Sequence, residues 1–470
     1  MGHDLLRKLP SVDMLLQRPE LAPAVAGHGH DVVVSALRAV LGDLREAIRQ
    51  GENPDMTPAV VTGLALARLR QQSLLSIRPA INATGVIIHT ALGRAVLSPA
   101  AQEAISAVMR GYCTLQIDLG SGGRGHRDEH IEGLLRQLTG CEAATTVNNN
   151  AAATMLILNT LAQGKEVVVA RGQLVEIGGA FRMPEVMAMS GCVMREVGTT
   201  NKTHLRDYAA AIGENTGAIL RVHHSNYRII GFTDEPGIGD LCALGRECGV
   251  PVIDDLGSGA LLPMEQFGVG HEPMIQESVR AGADVICCSG DKLLGAPQAG
   301  VIVGKAEWVQ RIRKNPLSRA LRTDKLTAAG LEATLRLFLN PKRLREVHPL
   351  YRALSLTPDE VGARAKAVGE ALQAAVGETV NWEVRPDSSQ VGSGSLPEAM
   401  LPTLVLALRP RDCSAENLAN SLRHQEPPIV TRVQKDAVLL DFRTVLPGED
   451  EVVAGILRTV LQQTGSQEAE

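Results

Sequence analysis

The sequence predicts an α/β fold in which a mostly parallel sheet carries helices on both faces, with a helical segment before it and a smaller α+β part after it. Three observations carry this expectation. Short β-rich runs recur at 166–170, 218–224, 250–255, 283–288 and 300–304. Helix-length amphipathic stretches such as 102–110 and 238–248 separate most of them, and strands alternating with helices imply crossover connections and a parallel sheet. At 470 residues the chain exceeds one compact unit of usual size, so two or three domains are expected.

Taken in order, residues 1–77 read as helices. Residues 31–50 place Val34, Leu37, Val40, Leu41, Leu44 and Ile48 at helical spacing, and Gly51 stands where a helix would stop. A second helix is expected over 58–73. Residues 78–340 hold the alternating strands and helices and form the large domain. A long helical pattern over 317–339 carries the chain out of it, and Asn340-Pro341 ends that pattern. Residues 341–470 mix a helix over 358–376 with strands at 404–408 and 437–442, a small α+β domain closed by a polar, frayed tail at 464–470.

Composition excludes several roles. No segment is long and apolar enough to span a bilayer, and Met1–Lys8 lacks the apolar core of an export signal, so a cytoplasmic protein is expected. The eight cysteines are scattered, without a CxxC pair, so neither a zinc site nor a disulfide framework is indicated, and no metal site is expected. Net charge is −5, and aromatics make up 2% of the chain, which argues against base stacking on an aromatic platform. The charge is uneven, however. Between Lys305 and Lys325 lie Arg311, Arg313, Lys314, Arg319 and Arg322 against only Glu307 and Asp324, a segment able to attract anions.

The chemistry centres on Ser289-Gly290-Asp291-Lys292-Leu293-Leu294-Gly295, which follows the apolar run 283–288. Lys292 is thereby placed at the carboxyl end of a strand, where open α/β sheets bind ligands. A serine three residues before such a lysine suits pyridoxal 5′-phosphate (PLP): the amine bonds the cofactor aldehyde and the Ser289 hydroxyl reaches the phosphate. A surface lysine paired with Asp291 is the plainer alternative. PLP also needs a phosphate cradle, a carboxylate for the pyridine nitrogen and a polar partner for the phenolic oxygen. Asn148, Asn149 and Asn150, ahead of an alanine-rich helix start, offer the cradle. In Val252-Ile253-Asp254-Asp255-Leu256-Gly257, Asp254 is preferred to Asp255 for the ring nitrogen because it lies nearer the strand. Asn226 in Val222-His223-His224-Ser225-Asn226 is the phenolic-oxygen candidate, and one of the two histidines is expected to face the ring or the substrate. Acid strand, lysine strand and return strand follow one another as in aspartate-aminotransferase-like PLP enzymes.

Longer strings narrow this further. Arg78-Pro79-Ala80-Ile81-Asn82-Ala83-Thr84-Gly85-Val86-Ile87-Ile88-His89-Thr90-Ala91-Leu92-Gly93-Arg94 resembles the corresponding segment of bacterial selenocysteine synthases, the L-seryl-tRNA(Sec) selenium transferases. So do 147–153, 176–184, 254–261, 289–300, 316–325 and 427–447; Ala91 departs from the family pattern, where Asn is expected. The resemblance implies a fold-type-I PLP-dependent transferase that converts L-seryl-tRNA(Sec) to L-selenocysteinyl-tRNA(Sec), by loss of water and addition of selenium from selenophosphate. It implies that residues 1–77 grip the tRNA, and that the protein is a homo-oligomer, a decamer built as a pentamer of dimers. Lys292 and Asp254 are then the catalytic pair, with Lys292 as the base at Cα. Arg94, Arg319 and Arg322 suit the anionic selenium donor, because guanidinium forks match phosphate geometry. Two alternatives use the same features: a related PLP lyase acting on a small phosphorylated amino acid, of the amino-sugar-acid ammonia-lyase type, and an RNA-binding scaffold without activity.

Overall fold

The computed structural model describes residues 5–179 and 181–466, and the last residues of the tail, 467–470, lie outside them. The chain divides into two compact units, Met1–Pro79 and Ala80–Glu470.

In the first unit the apolar spacing produces helices at Val12–Leu16, Ala22–His28, His30–Arg49 and Pro58–Ser73. Val33, Ala36, Leu37, Val40, Leu41 and Leu44 recur every three or four residues on His30–Arg49, and they bury against Val61, Ala65 and Leu69 of Pro58–Ser73. Gly51, at φ +93°, takes the left-handed conformation that ends the longer helix.

The second unit is built on a seven-stranded sheet. Its strands are β1 (Ala143–Val147), β2 (Glu166–Ala170), β3 (Val193–Val197), β4 (Thr216–Val222), β5 (Val252–Gly257), β6 (Val285–Ser289) and β7 (Gly300–Gly304). Their spatial order is β1-β7-β6-β5-β4-β2-β3. Strand β7 runs antiparallel to β1 and β6, and the other neighbours are parallel. Alternation along the strands fills two cores. Val167, Val169, Leu220, Ile253, Val285 and Cys287 pack with Leu156 and Ile157 of the helix Asn150–Ala162. Val168, Ile219, Val252, Leu256, Ile286 and Cys288 pack on the opposite face with Leu241 and Leu244 of Ile238–Cys248.

A four-stranded antiparallel sheet follows, from β8 (Val380–Gln390), β9 (Met400–Pro410), β10 (Arg432–Gln434) and β11 (Ala437–Leu440), in the order β8-β9-β11-β10. The helices Pro358–Val376 and Ala415–Arg423 share its core. Residues 81–88 cross into this layer: Ile81 pairs with Ile429, Thr84 with Asp441 and Val86 with Gln390. Gly85 makes the crossing possible. Its φ is +77°, and a Cβ there would stand 2.3 Å from Asp441 Oδ2.

Two expectations about elements are revised. The pattern over 317–339 is two helices, Leu317–Leu321 and Lys325–Leu337, because Asp324 caps the second by accepting the Thr327 N–H at 2.8 Å. The C-terminal helix, Asp450–Ser466, takes in residues 464–466 of the tail expected to fray, and the rest of that tail lies outside the described residues. The mostly parallel sheet, the small C-terminal α+β layer and the N-terminal helices are borne out.

Candidate active site

Lys292 sits in the turn leaving β6, with only 7% of its surface exposed. The turn is pinned on all sides. Leu293 donates its N–H to Ser258 O at 3.1 Å and accepts from Tyr351 Oη at 3.0 Å, and Leu294 O bonds His348 Nε2 at 3.1 Å. Gly295, at φ +64°, closes the turn where a Cβ would stand 2.1 Å from His348 Cε1. The lysine is therefore held by backbone, and its amine reaches toward the ends of β4 and β5. A Cβ on Gly257 would lie 3.9 Å from Lys292 Nζ and 3.7 Å from Ser225 Cβ.

Burial pulls the Lys292 ammonium below its ordinary pKa; the charge of Asp255 opposes this and that of Arg94 reinforces it, with smaller opposing contributions from Asp291 and Glu272. Arg94 Nη1 is bound to Asp291 Oδ2 at 2.6 Å, which brings the first of the three expected anion-binding arginines to the lysine turn.

Asp254 and Asp255 point to opposite faces of β5. Asp254 is fully buried, paired with Arg221 at 3.0 Å and accepting the Ser278 hydroxyl at 2.5 Å. Asp255 faces the helix Asn150–Ala162 and accepts Asn150 Nδ2 at 2.8 Å and Thr154 Oγ1 at 2.9 Å. Burial pushes Asp255 up, while these hydrogen bonds and the Lys292 charge pull it down. Strand alternation thus gives Asp255, and not the expected Asp254, the lysine's neighbourhood, and it pairs Asp254 with Arg221.

The three asparagines separate. Asn149 caps the helix by accepting the Ala152 N–H at 2.8 Å, Asn150 reaches Asp255, and Asn148 uses its backbone, donating to Leu321 O at 2.8 Å. Ser289 pairs in register with Gly300, and a Cβ on Gly300 would stand 2.2 Å from Asn149 O, so Ser289 and the helix start lie together. The first-turn N–H groups of such a helix present a partial positive charge to an anion.

At the end of β4, Asn226 is exposed and donates Nδ2 to Glu176 O at 2.9 Å, whereas the neighbouring Ser225 is 1% exposed and stands beside Gly257. His224 bonds Gly172 O at 3.1 Å, and its ring packs tilted against that of Tyr227, 4.9 Å between centroids. His223 feels the Lys292 charge; burial first, then the charge of Arg221, pushes its pKa down to about 3.

Arg322 leaves the helix and bridges to Val147, the last residue of β1. It lines a cavity of about 340 Å³ with Arg127, Arg313, Lys314, Thr146 and Ser318. Burial, followed by the charges of Arg322 and, more weakly, Arg319, lowers the pKa of Arg127, so these three guanidinium groups share one electropositive neighbourhood. Sequence reasoning missed Thr154, Ser225, Arg127 and Glu272. Of these only Thr154 carried a signal, one helical turn after Asn150.

The arrangement fits PLP. Lys292 is buried with a weakened hold on its proton, a carboxylate lies within reach of its charge, and a helix start with a neighbouring serine can receive a phosphate. Asn150 Oδ1 and His223 Nδ1 are buried polar atoms without hydrogen-bond partners, as a site awaiting a polar ligand would leave them.

The family model described as L-seryl-tRNA selenium transferase matches residues 80–446, and one described as selenocysteine synthase N terminal matches residues 6–45. The L-seryl-tRNA(Sec) selenium transferase of Moorella thermoacetica is 47% identical over 461 residues, covering 98% of each chain. That of Nitratidesulfovibrio vulgaris is 48% identical over 469 residues, 97% of this chain and 99% of the relative. Among solved structures, D-glucosaminate-6-phosphate ammonia-lyase shares the fold with a TM-score of 0.57 at 19% identity, over 84% of this chain and 99% of that one. Near-full-length identity at this level, on the fold and lysine turn described, places the chain in the family of L-seryl-tRNA(Sec) selenium transferases.

Proposed function

We propose that this protein converts L-seryl-tRNA(Sec) to L-selenocysteinyl-tRNA(Sec) with PLP as cofactor and selenophosphate as selenium donor. The carrying observation is the buried Lys292 with Asp255 and Arg94 acting on it, in a chain of this family.

Lys292 would hold the cofactor aldehyde, Asp255 the ring nitrogen, and Ser289 with the N–H groups at the start of Asn150–Ala162 the phosphate. Ser225 and Asn226 are the candidates for the phenolic oxygen, with Ser225 the better buried. Bound there, PLP supplies an electron sink for the carbanion at the seryl Cα. The residues do the rest. Burial leaves the Lys292 amine ready to take the Cα proton once the substrate occupies the site, and the ester linkage to the tRNA makes that proton more acidic than a free carboxylate would. Water leaves Cβ, selenium of the donor bonds there in its place, and the P–Se bond is broken by water to release phosphate. Arg94, Arg319 and Arg322 bind the selenophosphate anion, with Arg127 added to the set, and copies of the chain in a homo-oligomer complete one another's sites. We take that oligomer to be a decamer, a pentamer of dimers. In the same reading residues 1–77 contact the tRNA, 78–340 form the cofactor domain, 341–470 the small domain, and the protein works in the cytoplasm. No helix among the described residues is long and apolar enough to cross a membrane.

The test is direct. Incubation with seryl-tRNA(Sec), PLP and selenophosphate should leave selenocysteine esterified to the RNA; recovery of serine alone would refute the activity.

A further inference from the structure

Hydroxide is a poor leaving group, so loss of the seryl β-hydroxyl needs a proton donor as well as a base at Cα, and a separate donor spares the base from serving both atoms. Lys292 has to begin that step unprotonated. Among the acidic groups acting on it, Asp255 accepts hydrogen bonds at both oxygens, and Asp291 is engaged by the Arg94 guanidinium. Glu272 is different. It lies in the loop before the helix Ile275–Ala281, fixed beside the exit of β5 by the Ala260–Met274 bridge and the Ile275 N–H to Ala260 O bond. Its side chain is 2% exposed, and its Oε1 stands 3.8 Å from His223 Nδ1, whose ring is 18% exposed. Neither atom has a hydrogen-bond partner.

We propose that Glu272 and His223 form the proton-donating pair for the departing β-hydroxyl, a role that rests on the functional reading above. Glu272 is the deep store and the imidazole stands between it and the more accessible side of the pocket. Both faces of the pair suit the task. Burial pushes the Glu272 carboxyl up, which favours its protonated form, while hydrogen bonding from Ser258 and the charges of Lys292, His271 and Arg228 oppose this. Burial and the surrounding charges of Arg221, His224, Lys292 and Arg228 keep His223 neutral, so it relays a proton rather than holding one. The 3.8 Å gap closes to hydrogen-bond length with a small side-chain movement, as catalytic contacts commonly do when substrate binds.

The step balances. The Cα proton goes to Lys292 Nζ, and its electron pair becomes the Cα–Cβ π bond. The Cβ–O bond breaks with its pair on oxygen, which takes the proton from His223 Nε2 and leaves as water. His223 Nδ1 receives the Glu272 proton, which leaves a neutral imidazole of the other tautomer and a carboxylate. A proton returning from solvent through the imidazole resets the pair.

The test compares two leaving groups on the full-length, PLP-loaded protein: seryl-tRNA(Sec), and β-chloroalanyl-tRNA(Sec), whose chloride departs without a proton. E272Q should slow elimination from the seryl substrate by about 10²- to 10⁴-fold, the range of a single general acid, and leave the chloro substrate within about threefold of the unaltered protein. E272D should recover part of the loss. In infrared spectra of the protein without added cofactor, E272Q should remove a protonated-carboxyl band present at neutral pH. Equal losses on both substrates, no loss on the seryl substrate, or no such band would overturn the proposal. Should the unaltered protein turn over neither substrate, the functional reading itself falls, a result the infrared band does not depend on.

Discussion

Asn150 donates its side-chain amide to Asp255 at 2.8 Å, joining the first residue of a helix to the end of a strand 105 positions later. This bond couples the proposed phosphate cradle to the proposed ring-nitrogen acid, so both are set by one contact beneath the lysine turn.

The two adjacent acids should behave differently when neutralised. D255N is expected to lower kcat by about 10²- to 10³-fold, as loss of a preorganised charge does, with little change in unfolding midpoint. D254N breaks a buried pair with Arg221 and should destabilise the protein by about 3–5 kcal/mol. Denaturant unfolding and single-turnover kinetics on both variants check this, and a catalytic loss confined to D254N would restore the sequence-based preference.

Gly295 should not tolerate a side chain. G295A meets His348 at 2.1 Å and strains a φ of +64°, and is expected to cost about 1–3 kcal/mol from the backbone alone and to weaken PLP binding. Pairing it with H348A removes the clash but not the strain, so the double variant should regain part of the loss in equilibrium unfolding and cofactor titration.

His348 makes stability depend on pH. Burial pushes its pKa in the folded protein down to about 4, from an ordinary value of 6.5. The unfolded chain therefore binds the proton first as pH falls, and the contribution present above pH 6.5 is lost progressively toward pH 4, by about 3 kcal/mol in all. H348Q keeps a donor for Leu294 O and should flatten this dependence. Urea unfolding between pH 7 and 4.5 measures the difference, and parallel curves for the two proteins would contradict it.

The arginines should separate the half-reactions. R319A and R322A are expected to slow selenium addition more than loss of water, read by quenching each step with labelled seryl-tRNA(Sec). R94A should do so as well, and because it frees Asp291 it should also shift the pH dependence of proton removal. Equal slowing of both halves by R322A would contradict a donor-binding role.

Much of this was legible from the sequence because the signals were local. The strands Glu166–Ala170 and Gly300–Gly304 are short apolar runs in themselves, and the helix Ile238–Cys248 carries its own amphipathic spacing. The strands Ala143–Val147, Val193–Val197 and Val380–Gln390 were missed because the alanines of the first and the charged and polar residues of the others break up any β-rich run; neighbouring strands make them strands. Lys292 was readable from its turn. The choice between Asp254 and Asp255 was not, since nearness to the strand says nothing about which face a side chain takes, and alternation from Ile253 would have indicated Asp255. The single helical pattern read over 317–339 took in Arg322, which the structure leaves outside both helices because Asp324 starts a new one just beyond it, and Glu272 had no motif around it to mark it.

The proposed mechanism requires that Lys292 Nζ carry the cofactor. Borohydride reduction of the PLP-loaded protein, proteolysis and mass spectrometry should find the pyridoxyl group on the peptide containing Lys292 and nowhere else, and K292A should remain unlabelled and colourless. A pyridoxyl group on another lysine, or undiminished labelling of K292A, would contradict it.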